Sequence, residues 1–85
     1  MKISRLREFE VKYAHLPLPI QKKVDRQIGY LAKNIRHPGA HAKKMGSVGD
    51  IWEARVDYQH RLTFHIVDDM IVFRTVGTHD ILKTP

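Results

Sequence analysis

Hydrophobic residues follow two different rhythms along this chain, and the rhythm changes near residue 36. Before it they recur every three or four positions, the spacing of a helix face. Leu6, Phe9, Tyr13 and Leu16 share one such face, and Ile20, Val24, Ile28, Leu31 and Ile35 form the inner stripe of a second helix. Gln21, Lys22, Lys23, Asp25, Arg26 and Lys33 lie mostly away from that stripe. Pro17 and Pro19 punctuate the turn between the two, and Pro19 suits the first position of the second helix, where a missing N–H costs nothing. That helix is expected to run to about Asn34, and Met1–Ser4 is expected as a short strand ahead of the first. His37–Asp50 carries Pro38, Gly39, Gly46 and Gly49 and no apolar period, so it reads as a loop bearing Lys43 and Lys44. From Ile51 the period is two. Strands are expected over Ile51–Asp57, His60–Val67 and Met70–Gly77, with Asp68 and Asp69 as the last hairpin turn. The pattern predicts an α+β fold in the order β-α-α-β-β-β. It is one domain of residues 1–85, with an N-terminal helical hairpin packed on one face of a small, mainly antiparallel sheet.

A two-residue turn at Asp68 and Asp69 fixes a register. Val67 would pair with Met70, His65 with Val72, Thr63 with Arg74 and Arg61 with Val76. Leu62, Phe64, Ile66, Ile71, Phe73 and Thr75 then face the helices, joined by Trp52, Ala54 and Val56 from the preceding strand. The opposite face is expected to be exposed and to present Glu53, Arg55, Arg61, Thr63, His65 and Arg74. Arg55 and Arg61 come out as neighbours across two strands. Like charges so placed destabilise the pair unless an anion sits between them. A phosphate would serve, and so would the carboxylates of Glu53 and Asp57 in a solvated charge ladder.

Composition narrows the partners. Eighty-five residues with 42% hydrophobic and 28% charged positions suit a single folded domain. A net charge of +6 favours a polyanionic partner: nucleic acid, an acidic protein or an anionic membrane. The absence of cysteine excludes disulfides, thiol catalysis and Cys-ligated metal centres. No stretch reaches the roughly 18 apolar residues of a membrane span, and the start of the sequence has no signal-peptide hydrophobic region, so a cytoplasmic protein is expected. His37 and His41 have a metal-like spacing of four, but they flank Pro38 and Gly39 with no carboxylate nearby, which argues against a site.

The succession of two helices, a basic loop, Ile51-Trp52-Glu53-Ala54-Arg55-Val56, His60-Arg61-Leu62 and Val76-Gly77-Thr78-His79-Asp80-Ile81-Leu82 resembles the RelE/ParE superfamily of toxins from toxin–antitoxin systems. The resemblance covers essentially the whole chain. It implies a type II toxin, a ribosome-dependent, metal-independent mRNA endonuclease that needs no cofactor and is neutralised by a cognate antitoxin. Such an antitoxin would offer an acidic or amphipathic segment to the helical layer or to the charged face. The same fold also admits a ParE-like inhibitor of DNA gyrase and a non-catalytic RNA-binding module. Carried over by residue, Arg61 matches the arginine at the scissile phosphate, His79 the C-terminal histidine, and Glu53 a strand glutamate that works with that histidine. Lys43, Lys44 and Arg55 match positions where the family meets RNA. Trp52 and Ala54 stand where the archetypal enzyme has lysines, and Leu82–Pro85 offers no counterpart to its tyrosine, so the carboxylate–histidine version of the chemistry is the one implied.

That chemistry needs a base for the 2′-hydroxyl, positive charge for the phosphorane-like transition state and an acid for the 5′-oxygen. Glu53, the Arg61–Arg55 pair and His79 provide them, with the two proton roles exchangeable. His65 and Arg74 share the polar face, either as RNA contacts or as solvent-facing strand residues. Tyr58, in the loop, is the one aromatic left to stack on a base.

Overall fold

A computed structural model describes residues 1–46 and 49–85. Seven main elements follow in the order β1 (Lys2–Arg5), α1 (Arg7–Ala14), α2 (Leu18–Lys33), β2 (Lys43–Lys44), β3 (Trp52–Arg55), β4 (His60–Val67) and β5 (Met70–Thr78). Short 3₁₀ turns occupy Pro38–Ala40 and His79–Lys83. The sheet order is β1-β5-β4-β3-β2, with β1 parallel to β5 and the other pairs antiparallel. This is the expected α+β arrangement with one strand more. No helix of the described residues is long and apolar enough to cross a membrane.

The two helices form the predicted hairpin. Glu8 and Glu10 stand in the first turn of α1, where acidic groups complement the positive helix end. Pro17 caps α2, so the helix begins one residue before the expected Pro19, which lies within its first turn. Gln21 donates to the Tyr13 carbonyl at 2.9 Å and the Tyr13 hydroxyl donates to Asp25 at 2.8 Å, which ties the helices together. Their apolar stripes close over the sheet. Phe9, Val24, Ile28 and Leu31 meet Ala54, Val56, Leu62, Phe64, Ile71, Phe73 and Val76 in one core. Phe73 is its hub, with ring centroids 5.6 Å from Phe9 and 5.9 Å from Phe64. Trp52 stacks on Phe64 at 5.9 Å, on the core side as its alternation predicts.

Two expectations about strand pairing are corrected. Lys43 and Lys44 belong to strand β2, not to a loop, and pair with Glu53 and Trp52. The hairpin of β4 and β5 keeps the expected register only from Val67↔Met70 to Phe64↔Phe73. A bulge then leaves Arg74 without a partner, and Thr63 pairs with Thr75, Leu62 with Val76, Arg61 with Gly77. The extra residue flips the parity of β5. Val76 thereby enters the helix-side core beside Leu62, a better use of an apolar side chain than the predicted Thr75, which instead stands opposite Thr63.

The bulge also changes the far face, which is not open along its length. Residues 79–85 fold back across it. Thr63 Oγ1 and Arg74 Nε both donate to the backbone oxygen of Pro85 at 3.1 Å, and Ile81 is buried over Gly77. Thr63, expected on an exposed face, is fully buried beneath this segment.

Candidate active site

Strands β2, β3 and β4 and the start of the C-terminal turn together enclose a cavity of about 270 Å³, lined by His41, Lys43, Glu53, Arg55, Arg61 and His79. All three residues read from the sequence as catalytic are there. Glu53 stands on β3 between Trp52 and Ala54, whose side chains go to the core, so alternation turns the carboxylate to the far face. Arg55 pairs directly with Arg61 across β3 and β4. Three cationic side chains, Lys43, Arg55 and Arg61, thus line the cavity together with one carboxylate. The nearest ion pair is a loose one, Lys43 Nζ to Glu53 at 3.9 Å, which leaves a cavity biased toward anions.

Arg61 is held from one side. Its Nη1 donates to the carbonyls of Asp57 at 2.7 Å and His60 at 2.9 Å, with a longer contact of 3.4 Å to that of Tyr58. The turn it grips is fixed a second time by Asp57, whose Oδ1 accepts from the Gln59 N–H at 2.9 Å, the His60 N–H at 2.8 Å and the His60 ring at 2.9 Å. Burial alone would raise the Asp57 pKa, but these hydrogen bonds outweigh it and hold the carboxyl below its ordinary value. Lys23 of α2 adds a contact to Asp57 at 3.6 Å. The guanidinium is therefore pre-positioned in the cavity.

His79 opens the 3₁₀ turn that follows β5. The turn is seated by Ile81, whose Cγ2 lies 2.9 Å from where a Cβ on Gly77 would be. Only glycine leaves room for Ile81 there, two residues beyond His79 in the same turn.

His41 lines the same cavity although the sequence reading left it out. It holds a left-handed backbone (φ 49°) between the 3₁₀ turn and β2. The signal was the pairing of oppositely charged Lys43 and Glu53 across a glycine-containing loop, which identifies a hairpin and puts residue 41 at its base. His37 has a different task. It accepts from the Gly39 N–H at 3.0 Å and stacks on Tyr30 with centroids 4.2 Å apart. Among the described residues no three His, Asp or Glu side chains gather as a metal site.

Four predicted RNA contacts lie outside the cavity. Lys44 shares a face with Trp52, its Nζ 5.8 Å from the ring centroid. Tyr58 is almost fully exposed at the tip of the β3–β4 turn. His65 and Arg74 form a pair of their own, Nδ1 to Nη1 at 2.9 Å, on the far side of the segment that ends at Pro85. Arginine can only donate, so His65 Nδ1 accepts and the ring proton sits on Nε2. Burial first, and the Arg74 charge second, push the His65 pKa below its ordinary 6.5. The unfolded chain therefore takes up this proton more readily than the folded one. The stability from neutral His65 is complete above pH 6.5 and is lost as pH falls below that toward the folded pKa. Thermal unfolding across about pH 5.5 to 7.5 should show a steeper loss on the acid side in the wild type than in His65→Gln; equal slopes would refute this.

No protein-family model matches the chain, and neither does any curated protein. Solved structures do match. The RelB–RelE antitoxin–toxin complex from Methanococcus jannaschii aligns with a TM-score of 0.76 at 19% identity, over 96% of this chain and 99% of that one. The YoeB–YefM complex from Staphylococcus aureus gives 0.78 at 18%, covering 93% and 97%. YafQ from E. coli gives 0.75 at 18%, covering 95% and 96%. The chain shares its fold with these structures.

Proposed function

We propose that this chain is the toxin of a type II toxin–antitoxin pair, an endoribonuclease that cuts mRNA on the ribosome in the cytoplasm and is silenced by a cognate antitoxin. The observation that carries this reading is the single cavity in which Glu53, His79, Arg55 and Arg61 meet. A binding surface alone has no need to bring a carboxylate and imidazoles to one pair of opposed arginines. Glu53 takes the proton of the 2′-hydroxyl, and the oxygen attacks the adjacent phosphorus. Arg61 and Arg55 balance the charge that builds on the phosphoryl oxygens. His79 gives a proton to the 5′-oxygen as the P–O bond breaks, leaving a 2′,3′-cyclic phosphate and a 5′-hydroxyl. Glu53 and His79 can exchange these roles, and His41 offers a second imidazole to the same space. The arginines supply the charge a metal would otherwise bring. A phosphate between Arg55 and Arg61 also relieves their repulsion, so substrate binding and transition-state stabilisation draw on the same pair.

The test is induction of the wild type and of His79→Ala in growing cells, with mapping of mRNA 5′ ends. Cuts inside translated codons are expected with the wild type and not with the variant. Growth arrest with intact mRNA would instead identify a ParE-like gyrase inhibitor, and neither arrest nor cuts a non-catalytic RNA-binding module.

A further inference from the structure

The segment that follows β5 carries His79 at its head, and the sheet does little to hold it. Strand pairing ends at His60↔Thr78, and the 3₁₀ turn that comes next, His79–Lys83, is five residues long. Turns of this kind longer than about three or four residues are uncommon because their hydrogen bonds are poorly aligned. Such a turn needs outside anchors, and two are present. Ile81 is buried over Gly77, and at the other end of the segment the backbone oxygen of Pro85 accepts from both Thr63 Oγ1 and Arg74 Nε at 3.1 Å. We infer that Arg74 is a positioning residue for cleavage: held in place by His65, it clamps this segment at Pro85 and so keeps the His79 imidazole in the charged cavity. The effect on rate rests on the nuclease reading, whereas the clamp itself does not.

The bulge in β5 supplies the arginine. A regular hairpin would pair Arg74 with Thr63, but the register shift leaves Arg74 outside the ladder. Bulges re-aim a side chain in this way. The guanidinium then meets two partners at once, Pro85 through Nε and His65 Nδ1 through Nη1, the latter at 2.9 Å. Its plane is rigid, so seating Nη1 on His65 aims Nε at Pro85. His65 is part of strand β4, which ties that aim to the sheet, and Thr63, fully buried under the segment, adds the second donor. None of the three side chains lines the cavity. An arginine whose Nε and Nη1 are both committed to the protein is arranged as a clamp and not as a phosphate contact.

Cleavage on programmed ribosomes, paired with hydrogen exchange of the full chain, tests the clamp. Arg74→Ala should speed amide exchange across residues 79–84 and spare the β4–β5 ladder. It should lower kcat by roughly 10- to 100-fold with KM within about twofold of the wild type, the pattern of a displaced proton-transfer group and not of a lost RNA contact. Thr63→Val removes the other donor at nearly constant shape and should act in the same direction to a smaller extent, which keeps the test decisive if Arg74→Ala does not fold. His65→Leu should also lower kcat. His65→Gln, whose amide oxygen still accepts from Nη1, should recover most of that loss; a histidine that only fills space would make the two variants alike and overturn the clamp. Arg74→Ala that raises KM at unchanged kcat, with exchange over 79–84 unaltered, identifies an RNA contact and overturns the clamp while the nuclease stands. A wild type that cuts no message overturns the nuclease reading and, with it, the role in cleavage.

Discussion

Arg61→Ala is expected to slow mRNA cleavage by about 10² to 10³, the range for losing one preorganised donor to a developing oxyanion. Two losses combine in this variant. The cavity loses the guanidinium that faces the phosphate, and the β3–β4 turn loses the Nη1 contacts that hold the carbonyls of Asp57 and His60. Arg61→Lys separates them. Lysine keeps the charge, but it is a point charge on a flexible stem and cannot grip the turn with one nitrogen while offering others to the phosphate. The lysine variant should therefore retain most of the salt-sensitive binding to programmed ribosomes yet recover little of the single-turnover rate. Arg55→Ala should cost less than Arg61→Ala, because no described hydrogen bond of the turn depends on it. A lysine variant that cuts within about threefold of the wild-type rate, well short of one donor's worth, would show that charge alone suffices and that the fixed fork contributes nothing.

Much of this arrangement is legible in the sequence because the burial rules are local. Helix spacing in Leu6, Phe9, Tyr13 and Leu16 and in Ile20 to Ile35 gives the hairpin without any knowledge of what lies beneath it. Period-two alternation in Trp52, Ala54 and Val56 is enough to turn Glu53 and Arg55 to the far face. The pairing of Arg55 with Arg61 follows from the same parity. What stays hidden are the features that depend on distant partners. The bulge at Arg74 comes from competition between Thr75 and Val76 for the core, and that competition is settled only once Leu62 is in place. Strand β2 has two residues, too few for a period, and exists because β3 offers it an edge. Its omission also hid His41.

The polar face shows the same limit. Alternation says which residues point away from the helices, but not what later covers them. The segment from His79 to Pro85 has no apolar period, and its course over Thr63 depends on two hydrogen bonds to one backbone oxygen. That course divides the face. Glu53, Arg55 and Arg61 fall on one side with His79, while His65 and Arg74 are left on the other, paired with each other.

Gly77→Ala is expected to cost nearly as much activity as losing His79 itself, although residue 77 does not line the cavity. A Cβ there would come within 2.9 Å of Ile81 Cγ2. Ile81 cannot turn aside cheaply, since it is buried and its branched Cβ restricts χ1. The 3₁₀ turn must shift instead, and His79 at its head moves with it. Removing His79 forfeits the general-acid contribution, on the order of 10² to 10⁴, and a displacement of about 1 Å in a proton-transfer partner can already cost about 10². Overpacking of this kind costs typically 1–3 kcal/mol of stability. A melting-temperature drop should accompany the loss of activity. Relief of the clash distinguishes the mechanism from general damage. Ile81→Ala alone should loosen the turn, but combined with Gly77→Ala it gives the new methyl somewhere to go. The double variant should therefore cut mRNA faster than Gly77→Ala does, a coupling that a double-mutant cycle on single-turnover rates would measure. Strict additivity of the two substitutions would mean that Ile81 does not set the position of His79.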